Sequence, residues 1–82
     1  MPRGSNGRHA IMVRDFTASG RRFTRVLAKD IPGRTEADRI VSRLASSYDN
    51  HGADPGCGTR WFRDGAGLHQ IWVQARARNA AT

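Results

Sequence analysis

The fold of this chain is decided by the stretch RWFRDGAGLHQIWVQARA, Arg60–Ala77. Two runs of alternating apolar and polar residues, Thr59–Asp64 and Leu68–Ala77, flank Gly65-Ala66-Gly67. Runs of this kind on either side of a short glycine turn predict a β-hairpin. If Gly65 and Ala66 form a two-residue loop, Trp61 lies opposite Gln70 on the neighbouring strand, and this pairing sets the register.

The predicted register divides the side chains of the hairpin between two faces, because successive side chains alternate across a strand. One face carries Trp61, Arg63, Leu68, Gln70, Trp72, Gln74 and Arg76. The other carries Phe62, Ile71, Val73 and Ala75, which are apolar and form the better core. A turn longer by one residue would pair Trp61 with Ile71 and move a whole strand to the opposite face.

A second hairpin is predicted near the start of the chain. The strand HAIMVRDF, His9–Phe16, is followed by the turn TASG and the strand RRFTRVLAK, Arg21–Lys29. Gly20 is expected to adopt a positive φ in this turn.

One amphipathic helix is predicted between the hairpins, after Pro32-Gly33 breaks the second strand. Thr35 and Asp38 resemble a capping box at its start. Apolar residues then recur at helical spacing on one face: Ala37, Ile40, Val41, Leu44, Ala45 and Tyr48. We expect the helix to end near residues 49–52, with Gly52 as a left-handed cap.

The order β-β-α-β-β predicts an α+β fold with a four-stranded antiparallel sheet and one helix packed on one face. Residues 9–77 form this single domain, while residues 1–8 are expected to be a disordered basic tail and residues 78–82 a disordered C-terminal tail. A single helix covers only one face of such a sheet. The other face must be solvated or must contact a partner.

The net charge of the chain is strongly positive. Fourteen Lys and Arg residues, thirteen of them Arg, stand against seven Asp and Glu, for a formal charge of +7 over 82 residues. Such a field attracts polyanions, although joint enrichment in Arg, Ala and Gly also fits a compositional habit. A basic patch is predicted on the first hairpin, where it serves either phosphate contact or protection of an edge strand: Arg14, Arg21, Arg22 and Arg25.

The two indoles on the predicted open face allow three interpretations. Trp61 and Trp72 could be packing residues, since tryptophan buries most of its area in most settings. They could form a protein interface, including one between two copies of the chain. They could also stack unpaired bases while arginines hold the backbone phosphates.

Residues for metal or nucleotide chemistry do not occur in recognisable patterns. His51, Cys57 and His69 match no zinc spacing, and the loop GADPGCG lacks the lysine and the following helix of a phosphate-binding loop. The carboxylates are scattered, and a thiol enzyme centred on Cys57 is only a weak hypothesis. We therefore expect no enzyme activity, no metal and no cofactor.

Location and function follow from these observations. The single cysteine excludes an internal disulfide, and no secretory signal or membrane span is visible, so a soluble cytoplasmic protein is expected. The first hypothesis is a small binding module for nucleic acid or another polyanion. The alternative is a protein interaction module, such as a homodimer, an adaptor or a small inhibitor, that uses the same sheet face.

Overall fold

A computed structural model of the protein describes residues 8–54, 56 and 58–76. The predicted tails, residues 1–8 and 78–82, lie outside these residues except for Arg8, which begins the first strand. The elements in chain order are β1 (Arg8–Phe16), β2 (Arg22–Ile31), α1 (Arg34–Ser46), β3 (Asn50–Ala53), β4 (Arg60–Asp64) and β5 (Gly67–Arg76).

The described strands form one antiparallel sheet in the order β2-β1-β5-β4-β3. The two predicted hairpins are present, and they join through the pairing of β1 with β5 at the centre of the sheet. Within the described residues, the α+β class and the single helix are confirmed. The number of strands is corrected from four to five, because β3 adds an edge strand beside β4.

The extra strand occupies residues that we expected to end the helix. α1 ends at Ser46, where the hydroxyls of Ser46 and Ser47 donate to the carbonyls of Ser42 and Leu44, each at 2.7 Å. Serine hydroxyls that bond to nearby backbone carbonyls compete with continuation of a helix. Gly52 then lies in β3 and is absent from the positive-φ residues of the described chain, so its predicted role as a left-handed cap is wrong.

The start of the helix also differs from the prediction. The N-cap is Gly33, with extended backbone and no side-chain cap bond, and Thr35 already lies within α1. Ala37 donates its N–H to the Gly33 carbonyl at 3.1 Å, which places the first helical hydrogen bond two residues before the position that a Thr35 cap requires. The capping box is therefore wrong.

The core lies between α1 and one face of the sheet. Its buried members come from the helix and from strands β1, β2, β4 and β5: Ile11, Val13, Ile31, Ala37, Val41, Ala45, Phe62 and Ile71. Leu44 and Tyr48 pack against this cluster, but Ile40 is 36% exposed. The helix contacts the sheet mainly through the small residues Ala37, Val41 and Ala45, so its buried stripe is narrower than predicted.

The register of the second hairpin is the predicted one. Trp61 pairs with Gln70 and Phe62 with His69 across the turn. Gly20 has a φ of 89° in the first turn, as expected. Because Phe62 and Ile71 are buried under α1, Trp61 and Trp72 lie on the face that the helix does not cover.

Candidate nucleic-acid interface

Cross-strand rows define the open face, the side of the sheet opposite α1. The central row crosses all five strands: Thr24, Arg14, Gln70, Trp61 and Gly52. The row nearer the hairpin turns contains Arg22, Phe16, Leu68, Arg63 and Asn50. Two shorter rows follow. One contains Val26, Met12 and Trp72, and the other contains Ala10 and Gln74. Gln70 therefore lies at the centre of this face.

The indole of Trp61 lies across the backbone of Gly52 on the edge strand. A Cβ atom at Gly52 would lie 2.7 Å from Nε1 of Trp61 and 2.8 Å from two of its ring carbons. An aromatic ring that covers a strand glycine in this way fills the space left by the missing side chain. Trp61 is thereby positioned at the β3 side of the open face while it remains part-exposed.

Trp72 lies nearer the middle of the sheet and contacts a cation. The guanidinium carbon of Arg14 is 5.3 Å from the ring centroid of Trp72, within the range of a cation–π interaction. Nε of Arg14 also donates to Oγ1 of Thr24 at 3.3 Å, which holds the guanidinium from the other side. Arg14 and Trp72 are both part-exposed, so this cation–π pair is available for contact.

The arginines of the open face have no acidic neighbours among the described residues of that face. None of the residues in the open-face rows is acidic, and Arg14, Arg22 and Arg63 make no ion pair with any described residue. On the helix, by contrast, Arg34 pairs with Asp38 and Arg39 pairs with Glu36, each at 3.3 Å. The positive charge that is left uncompensated therefore includes the open-face arginines.

The structure brings most of the predicted binding residues together and separates the others. The residues that share the open face are Arg14, Arg22, Trp61, Arg63, Gln70, Trp72 and Gln74. Arg25 points to the helix side, where it bonds to Asp15, and Arg21 precedes β2 with its guanidinium carbon 5.6 Å from the ring centroid of Phe23. Arg76 is the last residue of β5.

A hydrogen-bonded network on the helix side was missed by the sequence analysis. Nδ1 of His69 lies 2.6 Å from Oδ1 of Asp15, and Nε2 of His69 lies 2.8 Å from Oδ1 of Asp64. Arg25 donates from Nε to Oδ2 of Asp15 at 2.8 Å and from Nη2 to Oδ1 at 3.4 Å. His69 is 8% exposed, and its ring stacks on Phe62 at a centroid distance of 4.8 Å.

The network favours a protonated imidazole. A carboxylate only accepts hydrogen bonds, so both ring nitrogens of His69 donate, which only the imidazolium can do. Burial by itself lowers the pKa of His69, but the hydrogen bonds that its ring donates to Asp64 and Asp15, together with the charges of these carboxylates, outweigh this effect and raise the pKa. The hydrogen bond from Arg25 is the largest cause of the lowered pKa of Asp15, and the hydrogen bond from His69 is the largest cause of the lowered pKa of Asp64.

Part of this network could have been found from the sequence. The predicted register already pairs His69 with Phe62 on the core face, where an imidazole needs polar partners. The pairing of Asp15 with His69 depends on the contact between β1 and β5, which two independent hairpin predictions do not specify. Both ring nitrogens of His69 are bonded within the protein, so the network holds β1 and the second hairpin together.

The remaining sequence hypotheses concern metals, thiols and membranes. Among residues 8–54, 56 and 58–76, no group of three or more His, Cys, Asp or Glu could hold a metal ion. Cys57 lies outside the described residues, so the thiol hypothesis is untested. The one helix in the described part of the chain is neither long nor apolar enough to cross a membrane.

Comparisons with known proteins assign this chain to no family. A scan against protein-family models, a search of curated proteins and a search of solved structures each found no significant match.

Proposed function

We propose that this protein binds single-stranded nucleic acid through the open face of its sheet. The observation that carries the proposal is the combination on that face of two part-exposed indoles with three arginines that have no ion-pair partner among the described residues. Arginines without a carboxylate partner are available to backbone phosphates, and an indole offers a stacking surface to any base.

Single strands suit this surface better than duplexes. Bases in a duplex are stacked on one another and are not available to a flat aromatic surface, whereas bases in single strands can be splayed out and stacked on side chains. The open face contains no projecting helix among its described residues that could enter a major groove. Non-specific single-strand binders combine cationic side chains that contact the backbone with aromatic side chains on which bases stack, and the open face carries both kinds of side chain.

The experiment is a fluorescence titration of the protein with a short single-stranded oligonucleotide at low and at moderate salt. We expect quenching of the tryptophan emission and a binding constant that falls steeply as salt rises. Trp72→Leu should weaken binding by about 1–3 kcal/mol, the cost of one base–aromatic stack. The matched control is Phe23→Leu, which removes an aromatic ring that is 50% exposed on the helix side of β2. Absence of binding at low salt would contradict the proposal.

A second function is favoured by the apolar residues of the same face. Met12, Phe16 and Leu68 are part-exposed there beside the indoles. Two copies of the chain could pack these residues together, with the open faces in contact. Sedimentation at increasing concentration separates the two functions: a stable dimer whose indoles are shielded favours protein interaction, and a monomer that binds oligonucleotide favours nucleic acid.

A further inference from the structure

The open face contains a shallow, solvent-open depression of about 330 Å³ beside Gln70, which is called the cavity below. Four residues from β1, β5 and the segment before β4 line it: Arg14, Thr59, Gln70 and Trp72. Its volume lies at the low end of the range of pockets that hold small ligands, about 300–1,000 Å³. The cavity therefore suits one small planar group better than an extended ligand.

One wall of the cavity is the planar guanidinium of Arg14. The hydrogen bond from Arg14 to Thr24 and the cation–π contact of Arg14 with Trp72 restrain the guanidinium. Unpaired bases stack on guanidinium planes as well as on aromatic rings. A base that enters the cavity thus meets both kinds of surface at one position.

The polar group that could read the base is the carboxamide of Gln70. Gln70 pairs in register with Arg14 on one side and with Trp61 on the other, and its side chain makes no hydrogen bond to any described residue. A carboxamide offers N–H donors and a carbonyl acceptor together. Adenine presents a matching pair, an acceptor at N7 and a donor at N6, and the bidentate Gln–adenine contact to this edge is a recurrent mode of base recognition in the major groove.

We infer that this cavity binds one unpaired adenine, with Arg14 and Trp72 holding the ring and Gln70 reading its N6 and N7 edge. The inference rests on the proposed function, because contacts to the phosphates hold the strand on the open face, where one of its bases can enter the cavity. It adds a base preference that charge and stacking alone do not produce, since every base has a stacking face.

The test compares a short oligo-dT strand with the same strand carrying one central adenine. The wild-type protein should bind the adenine-containing strand about 5- to 150-fold more tightly, the range of a bidentate base contact. Gln70→Leu should remove this preference, so that the variant binds the two strands with equal affinity. The matched control is Gln74→Leu, which removes a carboxamide from the same face of β5 outside the residues that line the cavity.

The outcomes separate this inference from the proposed function. If the wild type binds both strands equally, or if Gln70→Leu keeps the preference, the adenine cavity is refuted while nucleic-acid binding stands. If neither strand binds, both the adenine cavity and the proposed single-strand binding are refuted. A second measurement needs no variant: adenosine, which lacks phosphate, should shift the NMR resonances of the Gln70 side-chain amide and the Trp72 indole N–H, and unchanged resonances would overturn the inference.

Discussion

Nδ1 of His69 lies 2.6 Å from Oδ1 of Asp15, and this contact joins the two central strands on the helix side of the sheet. Asp64 bonds the other ring nitrogen, and Arg25 bonds Asp15. Two cations and two carboxylates thus compensate one another at the margin of a small core. The stability of the fold should therefore depend on pH through this network.

The direction of the pH dependence follows from the pKa shifts. The pKa of His69 is raised above 6.5, so the stabilisation is complete below that pH and is lost as pH rises through the raised value. The pKa values of Asp15 and Asp64 are lowered below 3.8, so their contribution is complete above that pH and is lost as pH falls through the lowered values. Urea unfolding at a series of pH values should show the greatest contribution between these limits.

Two histidine variants test the assignment. His69→Asn should abolish the loss of unfolding free energy on the alkaline side, since the group that loses its proton there is gone. His51→Asn replaces the histidine opposite Phe62 on β3 and should keep that loss, because the His69 network is intact. An alkaline slope that survives in His69→Asn would show that another group causes it.

A second prediction concerns the glycine beneath Trp61. Gly52→Ala places a methyl group within 2.8 Å of the indole, so the ring must move or the edge strand must shift. Overpacking of this kind costs about 1–3 kcal/mol. Chemical denaturation should show the loss, and a red shift of Trp61 emission in a Trp72→Phe background should show a displaced ring.

The control for this substitution is Gly65→Ala in the second turn. A methyl group there meets no atom within 4 Å, and φ is not positive. Its effect should be neutral or stabilising by about 0.4–1 kcal/mol, because alanine restricts the unfolded chain. Equal stabilities of the Gly52→Ala and Gly65→Ala proteins, with unchanged emission, would mean that the ring does not depend on Gly52.

The helix provides a third prediction. Val41 is 3% exposed in the core, whereas Ile40 is 36% exposed although it belongs to the same predicted apolar face. Val41→Ala should destabilise the protein by about 2 kcal/mol through the lost burial and the cavity left behind. Ile40→Ala should change the unfolding free energy by no more than about 0.5 kcal/mol, since it lies at the surface. Similar losses in both variants would place Ile40 in the core.

The sequence was sufficient for those features that depend on local chemistry. The glycine turn at Gly65 and the alternation of side chains together placed Trp61 and Trp72 on the face away from the helix. The periodicity of apolar residues placed Ala37, Val41 and Ala45 in the core. Each of these inferences needs only neighbours along the chain or across one tight turn.

The features that were missed depend on contacts between distant segments. Residues 50–53, NHGA, have little strand propensity of their own and become a strand because Trp61 and its neighbours pair with them. The cavity beside Gln70 and the His69–Asp15 contact both require β1 to lie next to β5. Neither hairpin contains information on which strand of the other it will pair with.

The last prediction concerns the charges of the open face. If Arg63 contacts a backbone phosphate of bound single strand, Arg63→Gln should weaken binding to all sequences alike and should reduce the slope of log binding constant against log salt by about one. Arg39→Gln is the matched control, because Arg39 lies on the helix and pairs with Glu36. Its binding constant and slope should equal those of the wild type. Equal effects of the two substitutions would show that binding follows net charge alone, whereas an effect confined to Arg63 would assign the phosphates to the side of the sheet that carries the indoles.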